Sequence, residues 1–161
     1  MSYDLTLFRV AEGADPLLTN QRVVEQNEVD VAAKARIEMC RIADLVKSWR
    51  PTLEEFQPKS PLLWIDLTDD DLPIQFGICD GQINVTMPYF GDQPEELLDC
   101  AIGCLDTLNA IGDYHAYDPQ LGRLVARADL NQMIGQYGRV DGAFPEVRAQ
   151  AGGKKPWWKI R

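Results

Sequence analysis

The sequence predicts an α+β fold: an antiparallel or mixed sheet with two long amphipathic helices lying mostly on one face, a ferredoxin-like variant. Three observations carry that expectation. Two segments repeat apolar residues at steps of four and three, the spacing of one helix face. Between them, apolar residues alternate with polar ones on both sides of an Asp80-Gly81 pair, as in a β-hairpin. Strand-like segments also flank both helices, which gives the order β-α-β-β-β-α-β, then a short helix and a tail.

The first strand is read from Tyr3, Leu5 and Leu7 alternating with Asp4, Thr6 and Phe8. Residues 11–28, with Gly13, Pro16 and Asn20, predict a loop with room for a helical turn. Asp30 is the expected N-cap of the first helix, its carboxylate accepting a bond from a free first-turn N–H. Ala35, Met39, Ile42, Val46 and Trp49 form the apolar stripe, and Pro51 stops the helix. The next strand has Leu63, Ile65 and Leu67 on one face and Leu62 and Trp64 on the other, as in a strand covered on both sides. Asp69, Asp70 and Asp71 make the turn after it. A two-residue loop at Asp80-Gly81 then sets Ile78 opposite Ile83, Phe76 opposite Val85 and Ile74 opposite Met87, all on one face.

Asp92 and Glu95 have capping-box spacing before the second helix, and Pro94 suits its first turn. Leu97, Ala101, Cys104, Leu108 and Ile111 form its stripe, widened by Leu98, Ile102 and Leu105, and Gly112 is the expected C′ residue. Tyr114 to Tyr117 reads as a short strand, residues 118–122 as a turn, and Leu130, Met133, Ile134 and Tyr137 as a short helix. The expected organisation is a single domain over 1–137 and a basic C-terminal tail over 138–161. Trp157 and Trp158 in that tail are expected to pack on the domain or on a partner.

The chain has 161 residues, 45% apolar and 25% charged, within the range of one globular domain that needs no staple. No apolar run approaches the ~20 residues of a membrane span. The first ten residues carry Asp4 and Arg9 and have no basic leader, so a cytoplasmic location is expected. The net charge of −9 is uneven. Residues 1–122 hold 8 Lys/Arg against 22 Asp/Glu, and residues 123–161 hold 8 against 3. An acidic body repels nucleic acid and attracts basic surfaces. The basic tail can fold onto that body or face an acidic partner.

Chemistry-bearing groups are sparse. His115 is the one histidine, and none of Ser2, Ser48 and Ser60 sits in a nucleophile motif. A Cys-His dyad would need Cys40, Cys79, Cys100 or Cys104 beside His115, yet each lies in an apolar pattern and reads as a structural thiol. Asp66, Asp69, Asp70 and Asp71 form the densest carboxylate group. It lacks the EF-hand spacing and reads as a solvated turn or as an acidic knob for a basic partner. No phosphate-cradling glycine loop is present, so no cofactor, metal or catalytic set is expected.

Two motifs carry a resemblance. The chain opens Met1-Ser2-Tyr3-Asp4-Leu5, and after the second helix it reads Tyr117-Asp118-Pro119-Gln120, then Gly122-Arg123. Over residues 1–9 and 114–123 it resembles small bacterial cytoplasmic proteins that begin MSYDL and carry a YDPQ turn. Several of these resemble immunity proteins encoded beside polymorphic toxins of type VI or contact-dependent systems. The resemblance implies a stoichiometric inhibitor of a cognate toxin with a basic surface, and it brings no catalytic signature. The candidate partner contacts read from the charge layout are Asp66, Asp69, Asp70, Asp71, Glu95, Glu96 and Asp99, with Trp157 and Trp158 as anchors. The competing readings are a small cytoplasmic enzyme with an unannounced site and a ligand-binding scaffold.

Overall fold

The structure, a computed structural model, describes residues 2–19, 33–56, 64–69, 71–79, 81–89 and 93–143. Its order is β1 (Ser2–Arg9), α1 (Ala33–Trp49), β2 (Leu53–Phe56), β3 (Ile65–Asp69), β4 (Gln75–Cys79), β5 (Gln82–Pro88), α2 (Pro94–Leu108), β6 (Tyr114–Asp118), β7 (Arg123–Val125), a 3-10 turn (Arg127–Asp129) and α3 (Leu130–Ala143). The strands form one seven-stranded sheet in the order β2-β3-β4-β5-β1-β6-β7, and every neighbouring pair is antiparallel. The α+β class and the antiparallel sheet stand as expected. Among the described residues, no helix is long and apolar enough to cross a membrane.

The first strand is central. β1 pairs with β5 from Ser2↔Pro88 to Phe8↔Gln82 and with β6 from Thr6↔Tyr117 to Arg9↔Tyr114. It therefore joins the β2–β5 meander to the β6–β7 hairpin. The pleat sends alternate side chains to opposite faces. Tyr3, Leu5 and Leu7 are fully buried, as are Phe76 and Ile78 of β4 and Ile83, Val85 and Met87 of β5. They form one core with Ile65 and Leu67 of β3 and with Met39, Ile42, Val46, Leu97, Ala101, Cys104 and Leu108 of the helices. Each fully buried Leu, Ile or Met there contributes about 1.5–3 kcal/mol. The core lies on one side of the sheet, and on the other side Asp4, Thr6, Asp66, Thr68, Gln75, Asn84, Thr86, His115 and Tyr117 are half-buried.

The hairpin register holds: Ile78↔Ile83 and Phe76↔Val85 pair as the turn chemistry requires. Gly81 has φ +74, a left-handed conformation that glycine adopts without a Cβ penalty. Ile74 lies one residue outside the ladder, whose last pair is Gln75↔Thr86. The helical stripes hold as well, with Met39, Ile42 and Val46 buried on α1 and every buried residue of α2 except Cys100 falling in the expected stripe.

Several local expectations are corrected. Gln93, with no side-chain cap bond, stands at the N-cap of α2 and Pro94 opens the helix, while Asp92 lies outside the described residues. Asp30 also lies outside them. Gly112 is not a left-handed C′ residue; among the described glycines only Gly13, Gly81 and Gly122 have positive φ. A Cβ at Gly112 would instead stand 2.9 Å from Arg9 Nε and 3.1 Å from a Tyr114 ring carbon. β2 and β7 were not foreseen. β3 is not covered on both sides, since Trp64 is exposed while Leu62 and Leu63 lie outside the described residues. The last helix is not short: it runs through Gly138 to Ala143, into the segment expected to be tail.

One close approach sets how α1 and α2 pack. A Cβ on Gly103 of α2 would stand 2.8 Å from Trp49 Cζ2 at the end of α1. Glycine there leaves room for the indole, which packs against the core. Replacing it, Gly103→Ala, is expected to destabilise the protein by about 1–3 kcal/mol through overpacking. Trp49→Phe in the same chain should recover part of that loss. Urea unfolding of the four proteins in the cycle measures it, and additive losses would contradict the contact.

Candidate functional site

The two resemblance motifs meet. Tyr3 on β1 and Asp118 at the end of β6 are both buried on the core side, and the Tyr3 hydroxyl donates to Asp118 Oδ2. Asp118 Oδ1 accepts from the backbone N–H groups of Gln120 (2.8 Å) and Leu121 (3.0 Å). The Gln120 side chain, with its amide nitrogen facing inward, donates to Asp118 Oδ1 (3.0 Å) and to the Asp4 carbonyl (2.9 Å). Gly122 closes the turn with φ +67 and a backbone bond of 2.8 Å to the Asp118 carbonyl. The YDPQ segment is thus an Asx-type turn whose aspartate is tied to the first strand.

Aromatic rings enclose this tie. Tyr3 stacks on Tyr137 at 5.7 Å and meets Tyr89 edge-on at 5.8 Å, while Tyr89 and Tyr137 are 5.5 Å apart. Such pairs add to plain area burial. The Tyr137 hydroxyl donates to the Pro88 carbonyl. Burial first, then the Asp118 carboxylate, holds the Tyr3 phenol well above its usual range. It stays protonated and acts as a fixed donor.

Asp69 does similar work at the other end of the sheet. It shares the inward face of β3 with Ile65 and Leu67, and its side chain is fully buried. Its Oδ2 accepts from Arg50 Nε (2.5 Å) and Thr52 Oγ1 (2.6 Å), and its Oδ1 from the backbone of Asp71 (2.8 Å) and Leu72 (3.2 Å). Burial opposes ionisation, but the bonds from Thr52, Arg50 and the backbone outweigh it and hold the carboxyl below its usual range. This corrects its expected place among partner contacts: all its acceptor capacity is spent on fixing the α1–β2–β3 corner.

The acidic group therefore does not form one knob. Asp66, three residues from Asp69, lies on the opposite face, where its Oδ2 accepts from Trp64 Nε1 at 3.0 Å. Asp71 is exposed, and Asp70 lies outside the described residues. Glu95 and Glu96 are exposed in the first turn of α2. Asp99 is bonded to Arg127 Nη1 at 2.6 Å, and the same arginine takes Asp106 at 2.7 and 2.9 Å. Trp157 and Trp158 lie outside the described residues.

The nucleophile candidates stay apart. Cys100 and Cys104 are buried on α2, and burial pushes the Cys100 thiol up to about 11 and Cys104 higher still. Cys79 shares a cross-strand row with His115 through Gln82 and Phe8. Three strand spacings still separate them, about 14 Å. Cys40 is exposed on α1. His115 Nε2 is 3.2 Å from Asp113 Oδ1, and its ring lies beside Phe8 at 6.3 Å. Among the described residues, no group of three or more His, Cys, Asp or Glu is placed to hold a metal ion. No protein-family model, curated protein or solved structure matches the chain.

Two outcomes are expected. Tyr3→Phe keeps the ring contacts but leaves Asp118 Oδ2 without its buried donor, which should cost about 1–3 kcal/mol in urea unfolding. Asp69→Asn should cost a similar amount near neutral pH. Because the folded carboxyl sits below the ordinary value of 3.8, its stabilisation is present above that value and fades as pH falls through the folded-state value. The gap between wild type and Asp69→Asn should then narrow below pH 3.8, and a gap independent of pH would contradict the assignment.

Proposed function

We propose that this chain is a non-catalytic protein-binding module, an immunity protein that binds and neutralises a cognate bacterial toxin through an acidic surface. The observation that carries this reading is the division of the carboxylates. Asp69 and Asp118 are consumed inside the scaffold. Asp4, Asp66, Asp71, Glu95 and Glu96 remain at the surface and, among the described residues, none of them is paired with a cation. Surplus negative charge on a packed scaffold attracts a basic partner and speeds its capture. The MSYDL and YDPQ motifs support the same reading through the resemblance they carry, and the tie between Tyr3 and Asp118 gives them a structural reason to occur together. In this reading the protein works in the bacterial cytoplasm, where a toxin entering from a neighbouring cell would act.

The ferredoxin-like assignment belongs to the same proposal. β5 and β6 are each antiparallel to β1 and so parallel to each other, with β1 between them and α2 connecting them. That is the split β-α-β arrangement. β2, β3 and β7 then extend a four-stranded centre of β4, β5, β1 and β6.

Co-expression with the toxin encoded beside this chain tests the function. Growth rescue and a stoichiometric complex are expected, with an association rate that drops at least tenfold from low to physiological salt as surface charges are screened. No complex and no rescue would reject the reading, and so would turnover of the toxin by the chain.

A further inference from the structure

α3 differs from the other helices in how much holds it. Among the described side chains it buries Met133 and Tyr137, with Leu130 and Ile134 partly buried against the core. α2, of nearly equal length, buries eight. The fourteen residues of α3 include three glycines, Gly135, Gly138 and Gly142. Each glycine inside a helix shifts the helix–coil balance about fivefold toward coil relative to alanine. A helix of this length is marginal without its packing. These glycines also lack a steric reason. Among the described residues a Cβ at Gly135 or Gly138 would meet nothing within 4 Å, whereas Gly103 of α2 makes room for Trp49.

The tethers of α3 are peripheral. Just before it, Arg127 in the 3-10 turn bridges Asp99 (2.6 Å) and Asp106 (2.7 Å) of α2, and all three side chains are more than half exposed. Exposed pairs of this kind contribute little and are screened by salt. Arg123 of β7 holds Asp129 at 2.8 Å and Gln132 at 2.6 Å. Further along the helix, the Tyr137 ring stacks on Tyr3 and lies beside Tyr89, and its hydroxyl donates to the Pro88 carbonyl. None of these contacts is a sheet hydrogen bond. All seven strands precede α3, and their pairing is complete without it.

We propose that α3 is a detachable plug built into the fold: it opens as one unit while the sheet, α1 and α2 stay folded, and its leaving uncovers the rings of Tyr3 and Tyr89. The order of opening follows from what each element would lose. Freeing α2 exposes eight buried side chains and undoes the close contact of Gly103 with Trp49. Freeing β1 breaks two strand pairings. Freeing α3 exposes Met133, Tyr137 and the rings beneath them. Elements with few buried side chains and solvent-exposed tethers open first. Arg127 is the latch, because it ties the start of α3 to two points along α2. Tyr3 keeps its bond to Asp118 in the open form, since both belong to the sheet. The plug thus sets which surface the protein offers. Closed, α3 presents Asn131, Gln132, Gly135, Gly138 and Arg139 to solvent; open, the same place is floored by tyrosine rings. Opening is a property of the chain alone, and it stands or falls without the toxin of the binding reading.

The test is hydrogen exchange of the full-length 15N-labelled chain, followed by NMR in rising sub-denaturing urea. The amides of residues 134–139 are expected to share one opening, at least about tenfold more populated than the opening that exposes β1 and with a shallower urea dependence. Gly135→Ala/Gly138→Ala should slow exchange across α3 about twentyfold, and Arg127→Gln should speed it about threefold. Initial rates of Tyr89 nitration by tetranitromethane should fall and rise in step with those changes. A single protection level and urea slope shared by α3 and β1 would overturn the proposal. So would protection that decays residue by residue from the C-terminal end of the helix, which is fraying. Unchanged α3 exchange in the glycine variant, or nitration indifferent to both variants, would overturn it as well. The exchange pattern of the unsubstituted chain decides the first two outcomes, whatever the variants do.

Discussion

The pairing of β1 on both of its edges is the constraint on which the rest depends. The meander β2–β5 and the hairpin β6–β7 touch the same sheet only through this strand. Its inward residues Tyr3, Leu5 and Leu7 are fully buried, so its register and its burial cannot be changed separately. A slip of one residue would turn these three side chains outward and bring Asp4 and Thr6 into the core. Tyr3 adds a directional lock, because its hydroxyl fits Asp118 only when β1 and β6 hold the observed alignment. The strand made first in the chain thus waits for residues more than a hundred positions later, the kind of contact whose loop-closure entropy slows folding.

Two buried aspartates show how one residue type serves opposite ends. Asp69 and Asp118 each close a turn by accepting two backbone N–H groups, and each takes a further donor from a distant element. Asp69 receives Arg50 and Thr52 from the segment after α1, and Asp118 receives Tyr3 from β1. Buried carboxylates are tolerable when their lone pairs are filled in this way. A short-range turn signal in the sequence therefore becomes a long-range clamp. The crowded aspartates are thereby divided: Asp69 is spent inside the scaffold, while Asp66 and Asp71 stay at the surface.

Much of this layout was legible. The two helical stripes and the Asp80-Gly81 hairpin have strong periodic signals, and the pairings Ile78↔Ile83 and Phe76↔Val85 followed from turn length alone. β2 was hidden because its sequence, Leu-Glu-Glu-Phe, has no apolar alternation; an edge strand needs only one buried side chain, here Leu53. β7 was hidden by its length of three residues. The outer face was missed for another reason: strand pairing assembles it from residues far apart in the chain, and sequence proximity groups Asp66 with Asp69 even though the pleat sends them to opposite sides.

What the sequence determined by itself is whatever depends on neighbours within a few positions: the helices and their buried faces, the hairpin register, the charge surplus and the absence of recognisable catalytic motifs. The tertiary structure alone decided which strand is central, that Tyr3 meets Asp118, that Asp69 faces inward and that Asp4 and Asp66 share a face. The division is physical. Periodicity reports which side of an element is apolar, because burial repeats along the chain. Which elements then lie side by side depends on how those sides pack, and that choice leaves no local mark.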